Sequence, residues 1–286
     1  MQNIVFFGSG DFTIPVVQKL LPHGLDLVVT NDKDSNSPLL EFCNSNNIQT
    51  LIASSPKDLT NHYSLFSNHS VAVLASYGVF IPDEIINAFP NGIINIHPSL
   101  LPKYKGPSPV QYALLNGETT TGVTLIKLDS EIDHGPILSQ KPYTLQGNET
   151  SQDLLSILFE IGADMVEKEI TKLKKGEQLT ETAQDHSQET WSYKIEKKDG
   201  MINLSKIPTS ELEIINLKSE IDHKVRAFYP WPGVWLATNL KNQTKIIKLL
   251  PESRIQVEGK KSMSYKDFVN GFGIEGEVLL KKMGIK

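Results

Sequence analysis

The sequence predicts an α/β protein with a mostly parallel sheet covered on both faces, followed by a smaller β-rich domain. Up to about residue 145, short apolar runs alternate with helical stretches. The runs are continuously apolar, as expected of strands in a parallel sheet with helices on both sides. After a polar stretch, short β-like runs separated by turn residues return near the C-terminus, which is typical of a small barrel or sandwich.

The first part contains six predicted strands and five predicted helices. The strands are Ile4–Phe7, Leu27–Thr30, Val71–Ala75, Ile93–Ile96, Val123–Leu128 and Ile137–Ser139. Four of the helices are Ile14–Leu21, Pro38–Ser45, Pro82–Phe89 and Ser108–Leu115. The fifth and longest runs from Ser151 to Lys174, with Thr150 as its N-cap, Asp153 as the acidic partner and Gly176 at its end.

The pattern restarts after residues 177–206, a polar stretch without sustained periodicity that we interpret as a linker. Ser210 caps a helix that reaches about Phe228, because Pro230 stops it. The β-like runs that follow are Val234–Ala237, Ile246–Leu250 and Arg254–Val257. The predicted domains are therefore residues 1–176 and 207–286.

Composition places the chain among ordinary globular proteins. Of 286 residues, 39% are hydrophobic and 21% are charged. Cys43 is the single cysteine, so no disulfide can form within the chain. The opening MQNIVFFGSGDF lacks the basic region of a signal peptide. No stretch approaches the roughly 20 apolar residues of a membrane span, and we expect a cytosolic protein without a membrane partner.

Charge is unevenly distributed. The net charge is −5, yet residues 241–286 carry 10 Lys and Arg against 5 Asp and Glu. A basic segment after an acidic body is either an electrostatic footprint for phosphates or an ordinary lysine-rich surface. Charge alone favours the second interpretation.

A glycine-containing loop, FFGSGDF, follows the first predicted strand. It carries Gly8 and Gly10, but Thr13 stands where a dinucleotide fingerprint has its third glycine. A tight turn is therefore favoured over a dinucleotide cradle. The loop still indicates a crevice at the carboxyl ends of the strands, where such folds bind ligands.

Asn95 and His97 end the strand of IINIHPSLLP, and alternation places both side chains on one face. The later loop LDSEIDHGPIL carries Asp129, Glu131 and Asp133. If the two strands are neighbours, a carboxylate of that loop can reach His97.

An amide, a histidine and a carboxylate without a nucleophilic Ser or Cys suit direct acyl transfer to an amine. Asn95 can donate to an oxyanion, and His97 can do the same or carry a proton, oriented by the carboxylate. A purely structural role for each residue is the alternative. Zinc is disfavoured, because no HxH, HxxxH or CxxC spacing lies nearby.

The loop after His97 is rich in proline, with Pro98, Pro102, Pro107 and Pro109. Proline fixes φ and lowers loop entropy, so the loop is stiff. Such a loop can shape a pocket for a flat ligand, although a plain surface loop explains the prolines equally well.

Several phrases resemble the superfamily of formyltransferases that use 10-formyltetrahydrofolate. The core of the resemblance is NIHPSLLP and KYKGPSPVQYALLNGETTTGVTLIKLDSEIDHGPIL. The phrases WSYKIEKKDGMINL, VRAFYPWPGVWLAT and IQVEGKKSMSYKDFVNG are similar to the branch that formylates methionyl initiator tRNA.

This resemblance implies a Rossmann-like formyltransferase domain and a small OB-like β-barrel domain that helps to hold tRNA. It implies a catalytic trio of Asn95, His97 and Asp133, with no metal. The folate co-substrate site maps onto Ser99, Leu100, Leu101 and Pro102. Methionyl initiator tRNA is the implied partner of a chain that we expect to be a monomer. The candidate RNA contacts are Lys33, Lys105, Lys245 and Lys248.

One stretch departs from the family pattern. Members usually carry a longer basic insertion after the second strand, whereas this chain has only NDKDSNSP, with Lys33 as its sole basic residue. This departure puts the contact to the tRNA acceptor stem in doubt. The role of Arg226 is also open between a carboxylate partner and the phosphate backbone.

Two alternative functions remain. A sugar-nucleotide N-formyltransferase shares the core and agrees with the short loop, but the linker and C-terminal phrases oppose it. A folate- or RNA-binding module without catalysis would require a broken trio, and all three positions are intact. Formyltetrahydrofolate hydrolases and glycinamide ribonucleotide formyltransferase share the trio but lack the C-terminal phrases.

Overall fold

The computed structural model describes residues 3–203 and 210–285. The chain forms two compact units. The first consists of Met1–Pro109, Thr120–Thr144 and Leu155–Ser192, and the second of Val110–Thr119, Leu145–Leu154 and Tyr193–Lys286. The end of the predicted linker and the start of the predicted second domain, residues 204–209, lie outside the described residues.

The first unit is built on a seven-stranded sheet. Its strands are β1 (Ile4–Gly8), β2 (Leu25–Thr30), β3 (Gln49–Ile52), β4 (Val71–Ala75), β5 (Ile93–His97), β6 (Thr120–Lys127) and β7 (Ile137–Thr144). Their order in space is β3-β2-β1-β4-β5-β6-β7. The first five are parallel, and β6 and β7 are antiparallel to their neighbours. The predicted mostly parallel sheet is confirmed.

Helices connect these strands. They are α1 (Ile14–Leu20), α2 (Pro38–Ser45), α3 (Pro56–Asn61), α4 (Asp83–Ile86), α5 (Pro109–Leu115) and α6 (Ser151–Lys174). The predicted cap of α6 is confirmed, since the Thr150 hydroxyl and backbone N–H both donate to the Asp153 carboxylate. In the sheet, β2 and β3 lie on one side of β1 and β4 lies on the other, so the strand order reverses at β1. Parallel sheets bind ligands at such a reversal, and a crevice is therefore expected between the carboxyl ends of β1 and β4.

The core of the first unit explains its continuous apolar strands. Both faces of β1 and β4 are buried, and one apolar cluster includes Val5, Phe7, Val29, Ala72 and Tyr77. Burying both faces rather than one gives strands that are apolar throughout. This is the pattern from which the parallel sheet was predicted.

Two elements of the first unit were missed in the sequence. The edge strand β3 reads QTLI and is not fully buried at any position, so it lacks the apolar run of a central strand. Helix α3 is only six residues long, although Ser55 and Asp58 form a complete capping box. Predicted Pro82–Phe89 is helical only over Asp83–Ile86, and β6 and β7 are longer than predicted because their ends are polar.

The second unit combines an antiparallel sheet with two long helices. The strands β8 (Val234–Leu240), β9 (Gln243–Leu250), β10 (Arg254–Val257) and β11 (Met263–Ser264) pair in the order β11-β10-β9-β8. The predicted small β-rich C-terminal domain is therefore confirmed. Helix α7 (Glu211–Ala227) follows the predicted cap, because Ser210 and Glu213 form a capping box.

Helix α8 (Tyr265–Lys282) was not predicted. It contains Gly271, Gly273 and Gly276, and glycine is a poor helix former. Gly273 adopts φ 59° and ψ −140°, so the helix breaks there. Glycine tolerates this conformation because it has no Cβ.

The structure also assigns a partner to Arg226. Its guanidinium donates to the backbone carbonyl of Glu149 at 3.3 Å, within the second unit. Neither of the two alternatives considered from the sequence included a backbone acceptor.

Candidate active site

Asn95 and His97 lie on β5 with their side chains on the same face of the sheet, as alternation predicts. Both residues are buried, with exposed fractions of 6% and 5%. The strand is held on one side by β4 and on the other by β6, where Asn95 faces Ile126 and His97 faces Thr124. Two polar side chains are thus fixed on a fully buried strand of the sheet.

Asp133 joins this pair from the loop between β6 and β7. Its Oδ1 lies 3.3 Å from Nδ2 of Asn95 and 3.4 Å from Nδ1 of His97. Its Oδ2 accepts a hydrogen bond of 2.8 Å from the backbone N–H of Gly106. One carboxylate therefore contacts both strand residues and the loop that follows them.

The route by which Asp133 arrives differs from the simplest expectation. Strand β6 is antiparallel to β5, so its last residues lie beside the start of β5, where Lys127 faces Ile94. The loop must turn back to reach His97. Gly135 permits this turn, because a Cβ at that position would lie 1.8 Å from the carbonyl oxygen of Lys127.

The other acidic residues of the loop are placed elsewhere. Asp129 accepts a hydrogen bond of 2.7 Å from Nδ1 of His134, and Glu131 is exposed. Of the three carboxylates that the sequence left open, only Asp133 reaches His97. Asp133 has φ +49°, in the left-handed region that aspartate visits more readily than most residues.

His97 is oriented at both ring nitrogens. Nε2 lies 3.0 Å from the carbonyl oxygen of Tyr104, while Nδ1 faces Asp133. A carbonyl and an ionised carboxylate both only accept hydrogen bonds, so each ring nitrogen of His97 has an acceptor beside it.

The proline-containing loop contacts this trio through its backbone at Tyr104 and Gly106 and bonds extensively within itself. The hydroxyl of Ser99 donates to the carbonyl of Lys103 at 2.6 Å. The N–H of Leu101 donates to the hydroxyl of Thr124, and Gln140 donates to the carbonyl of Leu101. These bonds fix the loop against β6 and β7, as its predicted stiffness requires.

The four residues that the resemblance assigns to folate differ in accessibility. Ser99 and Leu101 are buried, and Leu100 and Pro102 are half-buried. Direct contact with a ligand is therefore open to Leu100 and Pro102, whereas Ser99 and Leu101 shape the loop. Whether this loop holds folate remains a prediction.

A cavity of about 580 Å³ lies in the same unit, within the usual size range of small-molecule sites. The stretch Lys127–Ser130, which leads into the loop of Asp133, forms one side of it. The other side consists of residues of α4 and the turn that follows, including Ile86, Asn87 and Phe89. Apolar and polar groups are mixed in this lining.

The segment 181–192, which lies within the predicted linker, contacts the loops that carry the site. Lys105 pairs with Trp191 in an isolated parallel bridge, and its backbone N–H and C=O bond to Thr190 and Ser192. Gln184 donates to the carbonyls of Asp133 and Gly135. Only Ala183 and the aromatic Trp191 interrupt the polar composition of this segment, so the sequence offered little signal for this role.

Lys105 is not available as an RNA contact in this structure, which corrects that prediction. Its side chain is 1% exposed and lies 2.6 Å from the carboxylate of Glu189. Its ammonium also lies 3.1 Å from Nδ1 of His186 and 5.6 Å from the ring centre of Trp191. The hydrogen bond from Lys105 holds the pKa of Glu189 below its ordinary value, and Trp191 adds a second bond.

The remaining candidate RNA contacts are accessible to different degrees. Lys33 and Lys248 are exposed and Lys245 is half-buried. On β9, Lys245 shares a face with the buried Ile247 and Leu249, whereas Lys248 points to the other face. The two lysines therefore do not form one basic stripe.

Among the described residues, no group of three or more His, Cys, Asp and Glu side chains is arranged to hold a metal ion. Within residues 3–203 and 210–285, no helix is both long and apolar enough to cross a membrane.

Comparison with known proteins agrees with the fold. The family described as formyl transferase matches residues 2–166. The chain belongs to the formyl transferase family. A methionyl-tRNA formyltransferase from Thermodesulfovibrio yellowstonii is 31% identical, and the match covers 94% of this chain and 96% of that protein. The resemblance noted in the sequence is thus confirmed, and the chain is an enzyme of this family.

Solved structures show the same fold. A 4-N formyltransferase from Francisella tularensis has a TM-score of 0.67 at 19% identity, covering 87% of this chain and 98% of that one. An N-formyltransferase from Helicobacter canadensis, in complex with folinic acid and dTDP-3-aminofucose, has a TM-score of 0.62 at 19% identity. That match covers 89% of this chain and 94% of the other.

Proposed function

We propose that the enzyme transfers a formyl group from 10-formyltetrahydrofolate to the α-amino group of methionyl initiator tRNA. The observation that carries the proposal is the convergence of Asn95, His97 and Asp133 in a buried cluster joined by contacts of 3.3 and 3.4 Å. The acceptor is inferred from relatives such as the T. yellowstonii enzyme, which match nearly the whole chain.

The amide of Asn95 is suited to stabilise negative charge on the formyl oxygen. It has two N–H groups, and one of them points to Asp133. The second remains for an oxygen at the site. When the amine attacks the formyl carbon, the carbonyl oxygen gains charge, and a donor already held by the sheet stabilises it without reorganising.

His97 is suited to move the proton. The attacking amine must be neutral and loses a proton once the new C–N bond has formed, while the folate nitrogen gains one as the old bond breaks. Nδ1 of His97 faces the carboxylate of Asp133, and Nε2 lies against the carbonyl of Tyr104. Asp133 beside Nδ1 stabilises the charged ring, so the histidine can take up the proton and release it.

The co-substrate supplies the formyl group, and the chain offers it a stiff loop beside the trio. The stiff loop 98–109 stands on one side of the trio, with Leu100 and Pro102 accessible. The 580 Å³ cavity is lined by Gly92 and Lys127 at the start of β5 and not by Asn95, His97 or Asp133, so it has no part in this proposal. The folinic acid complex of the H. canadensis neighbour supports a folate ligand.

A sugar-nucleotide acceptor is the second candidate, favoured by the short loop 31–38. Lys33 is its only basic residue, and Asn31 is tied down by hydrogen bonds to Ser9 and to the carbonyl of Tyr77. No basic arm is thus available here to reach a tRNA stem. Under the first proposal, other parts of the chain provide the RNA contacts, and the enzyme works in the cytoplasm with its tRNA substrate.

The test measures formyl transfer from 10-formyltetrahydrofolate to three acceptors in parallel: methionyl initiator tRNA, methionyl elongator tRNA and a dTDP-amino sugar. Strong preference for initiator tRNA supports the proposal. Equal use of both tRNAs keeps the reaction but removes initiator specificity. Transfer to the sugar alone overturns the tRNA assignment in favour of the second candidate.

A further inference from the structure

Gln184 occupies an unusual position beside the trio. It is 7% exposed, and its Nε2 donates to two backbone carbonyls, those of Asp133 at 2.9 Å and Gly135 at 2.8 Å. These carbonyls flank the bend that brings the carboxylate of Asp133 back to His97. A single NH2 group thereby holds both ends of the bend.

The amide of Gln184 carries a cost in stability. Within the part of the chain that the structure describes, its Oε1 is buried and has no hydrogen-bond partner. An unpaired buried acceptor destabilises the fold, whereas an apolar side chain here would leave the carbonyls of Asp133 and Gly135 without this donor. The amide therefore supplies the bend with a donor at the cost of one unpaired acceptor.

Gln184 is itself anchored independently of the loop it supports. Two residues earlier, Thr182 exchanges hydrogen bonds of 2.7 and 2.9 Å with Ile137, the first residue of β7. This bridge fixes the segment to the sheet. Gln184 therefore links the loop of Asp133 to β7. Asp133 has a φ of +49°, a conformation that the surrounding structure must support.

We propose that Gln184 is a positioning residue for Asp133 in formyl transfer. The inference rests on the proposed function, because it requires that Asp133 assist His97. Gln184 does not touch the reacting atoms. It holds the backbone of residues 133–135 so that Oδ1 of Asp133 meets Asn95 and His97 and Oδ2 meets the N–H of Gly106.

The test is a double-mutant cycle on kcat with Gln184→Met and Asp133→Asn. Met fills a similar volume but donates no hydrogen bond. We expect Gln184→Met to lower kcat about 10-fold to 100-fold with little change in KM, as misplacement of a catalytic group by about 1 Å does. In the Asp133→Asn background, the same substitution should change kcat less than about twofold, because its effect passes through Asp133.

Gln188→Met is the matched control. It makes the same substitution in the same segment, where the side chain of Gln188 is exposed and its amide donates to the exposed Asp185. We expect kcat to stay at the wild-type value. Gln184→Asn serves as a second variant should Gln184→Met fold poorly, since it keeps an amide but withdraws the NH2 group from the two carbonyls.

A second measurement does not depend on turnover. Hydrogen exchange of the Gly106 amide reports directly on the carboxylate, because that N–H donates to Asp133. Exchange should be faster in Gln184→Met than in the wild type and unchanged in Gln188→Met. This readout separates a displaced carboxylate from a general loss of stability, which would speed exchange in the central strands as well.

The outcomes separate the two proposals. If Asp133→Asn lowers kcat but Gln184→Met does not, or if the two effects multiply, the positioning role is wrong and the proposed function stands. If Asp133→Asn keeps the wild-type kcat, the catalytic trio is wrong and the role of Gln184 is overturned with it. A loss shared by the two single variants and not increased in the double variant supports the positioning role.

Discussion

Nδ1 of His97 lies 3.4 Å from Oδ1 of Asp133, and both side chains are at most 11% exposed. The two residues come from different elements, the end of β5 and the loop after β6. A buried carboxylate is costly unless it has partners, and here it contacts His97, Asn95 and the N–H of Gly106. This arrangement places a carboxylate beside the ring of His97, as the proposed proton transfer requires.

The first prediction concerns the charge of Asp133. Asp133→Asn preserves shape, tolerates the positive φ and can still accept from Gly106, but it cannot stabilise a charged His97. We expect kcat to fall by about 10²-fold or more, the usual contribution of acid–base catalysis. Single-turnover formyl transfer measures the change, and binding of both substrates should stay near normal. A wild-type rate in this variant would contradict the assignment.

The second prediction concerns Asn95 as the oxyanion donor. Asn95→Ala removes the N–H groups and should lower kcat by about 10² to 10³-fold, as loss of an oxyanion donor does elsewhere. Asn44→Ala, on the exposed side of α2, is the control and should leave the rate unchanged. Steady-state kinetics with saturating folate measure kcat and KM for both variants. A loss confined to KM would indicate a binding role instead.

The third prediction concerns the pH dependence of the Lys105–Glu189 pair. The hydrogen bond that Lys105 donates lowers the pKa of Glu189 below the ordinary 4.5, so the folded state favours the carboxylate. The stabilisation is therefore fully present above about pH 4.5 and is lost as pH falls through the lower folded-state pKa. Glu189→Gln should be less stable than the wild type at about pH 7, and the difference should shrink on acidification.

Urea unfolding at a series of pH values measures this difference. Glu181→Gln is the control, because Glu181 pairs with Lys127 at 2.7 Å in an exposed position where an ion pair contributes little. Its unfolding free energy should stay close to that of the wild type throughout. A difference for Glu189→Gln that grows toward acid pH would have the opposite sign to this prediction.

The fourth prediction concerns Gly162 in the buried face of α6. A Cβ there would lie 2.4 Å from Cγ2 of Ile96 on β5, so the glycine allows helix and sheet to approach. Gly162→Ala should destabilise the protein by about 1 to 3 kcal/mol through overpacking, despite the better helix propensity of alanine. Thermal or urea unfolding measures this loss of stability.

Gly271→Ala provides the opposite case. Gly271 is exposed on α8, and a Cβ there would meet nothing within 4 Å. This substitution should therefore stabilise the protein by up to about 1 kcal/mol. If both substitutions have the same sign, helix propensity rather than packing decides the outcome, and the close approach at Ile96 is not significant.

The fifth prediction concerns the sheet of the second unit. Lys248 points to the accessible face of β9, opposite Trp235 on β8 and Gln256 on β10. Lys248→Ala should weaken tRNA binding and lower the slope of log K against log salt by about 0.9, the loss of one phosphate contact. Lys245→Ala, on the core side, should change the slope less. Equal slopes for both variants would place the RNA elsewhere.

The sequence by itself determined the layered architecture and the strand that carries the site. Continuous apolar runs identified β1, β4 and β5, because a strand buried on both faces must be apolar throughout. Alternation placed Asn95 and His97 on one face. The Thr150 and Ser210 caps were also readable, since their side chains bond to residues only three positions away.

Only the tertiary structure decided which distant groups meet. Asp133, rather than Asp129 or Glu131, reaches His97 because β6 is antiparallel to β5 and Gly135 lets the loop turn back. Lys105 was expected to contact RNA, but Glu189 neutralises it in the interior. Segment 181–192 looked like a linker because its hydrogen bonds to Lys105, Asp133 and Gly135 are long-range, and contacts across such distances leave no periodic pattern in the sequence.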